Sequence, residues 1–207
     1  MYYFSGWAYK FLHFFEKITW RAADGIIAIS WEMANYIKME SGRGVQVVLD
    51  PVDSKDFPLH AAKNEGSVMF HGVLTRNKNV DILLDAAKRL PDVPFVIIGD
   101  GPDRARLQAK ATGNVTFKAW MPFKSIHRHI ATCAIGVALR SDNPGNEYVV
   151  TSPFLQYGIM GKPCLVTRRK VFGDYEWQFS GVDELVEKIK ILFDRPEEGL
   201  KLQKYIL

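Results

Sequence analysis

From residue 67 onward, short runs of β-branched and aromatic residues alternate with stretches whose apolar positions recur every three or four residues. The runs fall at 67–71, 94–98, 115–117, 134–139 and 163–167, and the helical stretches at 79–90, 102–112, 124–131 and 152–160. Strand-like and helix-like patterns in strict alternation predict an α/β fold, with right-handed crossovers joining a parallel sheet covered by helices on both faces. Two more helices are expected over 182–193 and 197–205, separated by Pro196. Leu185, Ile189 and Leu192 give the first of them an apolar stripe.

The first third of the chain reads differently. Residues 2–22 hold nine aromatics in the first twenty positions, and Phe4, Trp7, Phe11, Phe14 or Phe15, and Ile18 recur at helical spacing. One face of that helix is therefore apolar. It is expected to pack on the rest of the protein or on a partner; Lys10, Lys17 and Arg21 beside Trp7 and Trp20 keep a membrane-lying helix as the alternative. A strand over 26–29 leads through Ser30, a helix cap, into a helix over 31–40, which Gly42 and Gly44 end. A second strand covers 45–49. Residues 54–66 show no periodicity and read as a linker.

A length of 207 residues with 47% hydrophobic content is enough to bury a substantial core. The net charge of +4 is mild and its basic residues are spread along the chain, which argues against nucleic acid as a partner. Cys133 and Cys164 sit in apolar surroundings without metal-ligand spacing, so buried reduced thiols are expected. No apolar run reaches the ~18 residues of a membrane span, and the N-terminus lacks the pattern of a secretion signal. These features predict a cytoplasmic chain, with peripheral contact to the inner membrane surface through residues 2–22 as the alternative.

In an open parallel sheet, ligands bind beyond the carboxyl ends of the strands, so the loops after 71, 98, 117, 139 and 167 should border one crevice. Gly72 leaves room there for a ligand, and Arg76 and Lys78 follow with positive charge suited to a diphosphate. Gly99-Asp-Gly-Pro102 lacks the third glycine of a dinucleotide fingerprint, and a tight turn explains both glycines equally well. Thr151-Ser152-Pro153 is a strong helix start whose free N–H groups attract phosphate. His127 and His129 lie two apart on a helix, diverge, and cannot form a two-ligand metal face. Arg168-Arg-Lys170 follows the last expected strand as a solvated run or a phosphate contact.

The ordered series Ser67–His71, Gly72–Lys78, Pro94–Ile98, Gly99–Pro102, Val115–Pro122, Glu147 and Ser152–Pro163 resembles the C-terminal donor-binding domain of GT-B glycosyltransferases of family 4. The resemblance implies a Rossmann-like donor domain over 66–180 and C-terminal helices over 181–207, the first of which packs back across two domains. Ahead of them it implies a reduced N-terminal α/β segment over 1–53, closed by an interdomain link at Asp50-Pro-Val-Asp53, and a linker over 54–65. It implies transfer of a sugar from a nucleotide-diphosphate donor to a glycan or lipid-linked acceptor, with retention and without metal or other cofactor. Lys78 matches the family's phosphate lysine, while the arginine expected directly after the glycine is Val73 here, leaving Arg76 to replace it. The Gly99 turn lines the donor crevice, and Trp120 or Met121 flanks the base. Of the family's two glutamates, the first has Glu147 as its nearest equivalent, offset by one residue, and the second is Gln156, whose amide can still bond ribose hydroxyls.

The acceptor site and a sugar-facing histidine belong to the family's N-terminal domain, so a partner chain or a second copy is expected to complete the enzyme. Two rival readings remain at this stage. One is a non-catalytic nucleotide-sugar-binding subunit of a split glycosyltransferase, favoured by Val73 and Gln156; the other is a nicotinamide- or flavin-binding α/β protein.

Overall fold

The computed structural model describes residues 6–49, 57 and 65–206, without the side chains of Tyr9 and Phe123. The expected linker and the Asp50–Asp53 link lie mostly outside the described residues, as does Phe4 of the aromatic stripe. The chain divides into two compact units: residues 1–51, 144–150 and 169–173 form one, and residues 52–143, 151–168 and 174–207 form the other.

The larger unit is a six-stranded parallel sheet built from β3 (Ser67–His71), β4 (Phe95–Ile98), β5 (Val115–Lys118), β6 (Cys133–Ala138), β7 (Cys164–Thr167) and β8 (Gln178–Phe179). The strand order is β5-β4-β3-β6-β7-β8. The chain winds outward from β3 to β5, then returns across β3 to lay β6 on its other side, so the direction reverses between β3 and β6. Five strands lie where the sequence places them; the sixth, β8, carries no pattern of its own and exists through its pairing with β7, Val166 against Gln178 and Thr167 against Phe179.

Side chains alternate across this sheet. Val68, Phe70, Phe95, Ile97, Ile135, Val137 and Leu165 face one layer, where α3 (Asp81–Arg89), α4 (Arg104–Lys110) and α7 (Val182–Phe193) supply Leu83, Leu84, Leu107, Leu185, Ile189 and Leu192. The stripe of α7 therefore lies in the core of its own unit, against α3 and the sheet, which corrects the expectation that it packs back across two domains. Its apolar positions match a sheet face that would otherwise be bare.

The opposite face holds α6 (Ser152–Ile159), with α8 (Glu198–Ile206) packed on it, while α5 (Phe123–Thr132) leads into β6. Tyr157 of α6 is fully buried and donates its hydroxyl to the Met69 carbonyl of β3 at 2.9 Å. Its ring lies flat on β6 at Gly136, where a Cβ would come within 2.3 Å of it. Both cysteines are buried and free, and burial pushes the Cys133 thiol up to about 12.

The smaller unit holds α1 (Gly6–Ala22), α2 (Trp31–Ser41) and a two-stranded parallel sheet of β1 (Ile27–Ala28) and β2 (Gln46–Val47). Ser30 caps α2 as expected, accepting from the Met33 N–H at 3.1 Å, and Gly42 ends it in the left-handed conformation at φ 73°. The α1 helix packs on α2 through His13, Lys17 and Trp20: Lys17 pairs with Glu40 at 2.5 Å, and His13 and Trp20 meet the Tyr36 ring. The aromatic row Trp7, Phe11, Phe14, Phe15 and Ile18 is exposed, with Trp7 at 74%. The packing face of α1 is thus its mixed polar and aromatic side, and the apolar stripe stands outward.

Candidate functional site: the mouth between β3 and β6

Where β3 and β4 end, their loops run against each other. Gly72 and Gly99 take φ values of 148° and 147°, and a Cβ on Gly99 would lie 1.9 Å from the Gly72 carbonyl oxygen. Gly101, at φ 154°, meets Leu74 in the same way, at 2.4 Å from its carbonyl oxygen. Backbone bonds close the seam: Leu74 N–H to Asp100 O at 2.8 Å and Asp103 N–H to Leu74 O at 3.1 Å. Both glycines of the Gly99–Pro102 turn are accounted for by this close approach of two main chains, without a ligand. The Gly99 carbonyl also accepts from the Arg104 guanidinium, which donates to the Lys118 carbonyl at 3.1 Å as well.

Beyond Gly72, residues Arg76–Lys78 form a 3₁₀ turn stopped by Asn79 in the left-handed conformation at φ 50°. Arg76 is exposed and Lys78 half-buried. Burial, and then the charge of Arg140, draw the Lys78 ammonium down to about 8. Arg140, two residues past the end of β6, is itself half-buried, and its own pKa is lowered by that burial. Its backbone N–H bonds Thr167 Oγ1 at 3.1 Å. One residue further on, Ser141 clasps the turn, its N–H to Asn77 O at 2.8 Å and its hydroxyl to Asn77 Oδ1 at 2.7 Å. The mouth at the reversal of strand order thus carries two cations on adjacent strands.

The last residue of β3, His71, is buried, its ring set edge-on to Tyr157 with centroids 5.2 Å apart. Burial, with Lys78 adding to it, lowers its pKa to about 4, so the imidazole is neutral near pH 7. Its buried Nε2 has no hydrogen-bond partner among the described residues.

The α6 helix starts as the sequence signals, with Thr151 at the N-cap in extended conformation and Pro153 in the first turn. Thr151 makes no side-chain cap bond, however, and its buried Oγ1 is without a partner among the described residues. Ser152 is exposed. Gln156, one turn on, is only 3% exposed, and its Oε1 likewise lacks a partner among the described residues. Trp120, 66% exposed, and half-buried Met121 lie in the loop after β5.

Glu147 belongs to the smaller unit, in a 3₁₀ turn over Pro144–Tyr148. Its carboxylate accepts the Lys170 backbone N–H at 3.1 Å and lies 3.8 Å from Arg169 Nε. Both contacts come from the basic segment that follows β7. Arg168 is committed elsewhere, to Ser180 Oγ and to Glu184 on α7, both at 2.9 Å. Within the Arg168–Lys170 run, Arg168 is therefore paired while Lys170 stays exposed. His127 is buried and His129 lies 3.3 Å from the Lys118 ammonium. Among the described residues no group of three or more His, Cys, Asp or Glu side chains could hold a metal ion.

Sequence reasoning missed Arg140 and His71. Arg140 is one basic residue at the end of an apolar run, and only the strand order reveals that this run ends beside Lys78. For His71 the available signal was a histidine as the last residue of an otherwise apolar strand.

A parallel sheet that reverses direction at its centre, with glycines and cations at that point, is the architecture of doubly wound, Rossmann-like α/β proteins. The chain belongs to the family of glycosyl transferases group 1, which residues 65–195 match. Solved structures agree on the fold. S. aureus TarM, a mutant crystallised with fondaparinux, alpha-GlcNAc-glycerol and UDP, aligns at TM-score 0.74 and 16% identity over 92% of this chain and 42% of its own. HepE from Anabaena, solved with UDP and glucose, aligns at 0.76 and 16% over 94% of this chain and 61% of its own. The C-terminal domain of LpcC, a glycosyl transferase group 1 family protein from Francisella tularensis, aligns at 0.61 and 14%, over 74% of this chain and 95% of its own. The chain spans less than two thirds of the length of TarM and HepE. A search of curated proteins found no similar sequence.

Proposed function

We propose that this chain binds the donor of a glycosyltransferase reaction, in which a sugar leaves a nucleoside diphosphate for a glycan or lipid-linked acceptor. The observation that carries the reading is a half-buried Lys78, its pKa lowered to about 8, at the glycine-bounded mouth where the strand order reverses. A cation so placed is costly until an anion arrives, and a departing diphosphate is such an anion. TarM and HepE were each solved with UDP, which fits a uridine nucleotide as the first ligand to try. On this reading the charge of the leaving group is met by protein cations and by the start of α6 rather than by a metal. The sugar is transferred with retention, Glu147 acts near the anomeric carbon, and acceptor-binding elements come from a partner chain or a second copy.

Calorimetric titration with UDP in the presence of a chelator tests the donor site. Binding is expected without divalent metal. If heat appears only after magnesium or manganese is added, the protein-only diphosphate site is wrong.

The buried Gln156, where the resembling enzymes carry a glutamate, favours a second reading: a nucleotide-sugar-binding subunit without catalytic activity of its own. Release of free sugar from a bound UDP-sugar, followed in the isolated chain, distinguishes the two, since a pure binding subunit hydrolyses none.

A further inference from the structure

The cations of the larger unit sort by what holds them. Arg168 is tied to Ser180 and Glu184, Arg104 to the Gly99 and Lys118 carbonyls, and Arg106 to Asp81 through two bonds of 2.6 and 2.8 Å. Lys78 differs. Among the described residues the charge that acts on it is that of Arg140, of the same sign. The two side chains come from loops that cannot drift apart, because Ser141 is bonded to Asn77 through both its N–H and its hydroxyl, and Arg140 N–H is held by Thr167. The bonded residues directly adjoin the two cations, Asn77 before Lys78 and Ser141 after Arg140.

Two like charges on loops clasped to each other in a half-buried setting repel each other. An anion carrying two negative centres removes the repulsion from both at once. A guanidinium adds a flat pair of donors, matched to two oxygens of one phosphate, beside the point charge of an ammonium.

We infer that Arg140 is a phosphate-binding residue of the donor site, forming with Lys78 a two-cation cradle across β3 and β6 that takes the diphosphate of the donor nucleotide. The inference rests on the donor-binding reading above and adds to it a residue from the opposite side of the strand reversal. It also assigns the mouth a geometry: one phosphate group against the turn after β3, the other against the loop after β6. Arg76, one residue from the clasp but exposed, is left outside the cradle.

The test is titration of UDP and of uridine into wild type and Arg140→Met, a variant that keeps the aliphatic stem in its half-buried place. Loss of one charge-assisted contact should weaken UDP on the order of ten- to a hundred-fold, while any uridine binding is unchanged. A second readout checks that the two cations act on each other. With Arg140 gone, the repulsion on Lys78 falls, so the alkaline limb of binding, followed with a nucleoside diphosphate whose base does not titrate there, should move to higher pH in Arg140→Met. Arg140→Gln serves in its place if the methionine variant does not fold. Equal UDP affinity in wild type and variant, or an unmoved alkaline limb, overturns the cradle while leaving the donor site intact. Failure of the wild type to bind any nucleoside diphosphate would instead remove the donor-binding reading on which the cradle rests.

Discussion

Alkaline pH should release a diphosphate from this protein before it unfolds the chain, and Lys78 sets where the release begins. In the ligand-free protein the ammonium titrates near 8, against an ordinary value of 10.5. A bound diphosphate would pull that value back up, since opposite charge favours the protonated form. Between the free and bound values each binding event takes up one proton, so affinity falls about tenfold per pH unit. From pH 7.5 to pH 9.5 the protonated fraction of Lys78 drops from roughly three quarters to about 3%, a loss of some twenty-fold in affinity. The assay is calorimetry with a nucleoside diphosphate whose base does not titrate in that range, in buffers of different ionisation enthalpy, which count the proton directly. Lys78→Arg, always charged, should flatten the profile. Stability runs the other way: because the folded pKa is lowered, the unfolded chain holds more protons between about 8 and 10.5, and this group makes the free protein more stable as pH rises through that window. A wild-type affinity constant from pH 7.5 to 9.5, or the same fall in Lys78→Arg, would refute the assignment.

Other outcomes follow from the core. Gly136→Ala would drive a methyl group into the Tyr157 ring at 2.3 Å and should cost on the order of 1–3 kcal/mol in a urea melt; an unchanged midpoint would mean the ring can move aside. His71 is held neutral down to about pH 4, so between that value and 6.5 the unfolded chain binds the extra proton and stability falls on acidification, at most about 1.4 kcal/mol per pH unit. His71→Leu should remove that slope from acid unfolding curves, and a slope that persists would place its origin elsewhere.

The parts of the fold that were legible in the sequence are those whose signal is local. Val68–Phe70, Phe95–Ile98 and Cys164–Val166 are apolar runs buried on both faces and bounded by turn residues, and they form strands as read. Gln178–Phe179 is too short to carry a pattern, and only the free edge of β7 makes it a strand. The stripe on α7 was readable while its partner was not, because periodicity states that a face is apolar and is silent on what it meets. For α1 the pattern singled out the aromatic row, yet the packing face was chosen by specific pairs, Lys17 with Glu40 and His13 with Tyr36. At the candidate site, Gly72 and Lys78 stand in one loop and could be found together, whereas Arg140 lies 62 positions beyond Lys78 and joins it only through the strand order.

The contact of Tyr157 with Gly136 also bears on how this sequence can change over time. The ring occupies the space a side chain on β6 would need, and its hydroxyl is spent on the Met69 carbonyl of β3. A mutation at residue 136 is therefore shut out while the tyrosine remains, and a smaller residue at 157 alone would open a cavity and strip a buried carbonyl of its donor. Positions 136 and 157 form one heritable unit, passable only by a paired exchange. Descendant sequences should keep glycine with tyrosine or replace both together, and the linkage ties the helix bordering the mouth to the two strands on either side of it.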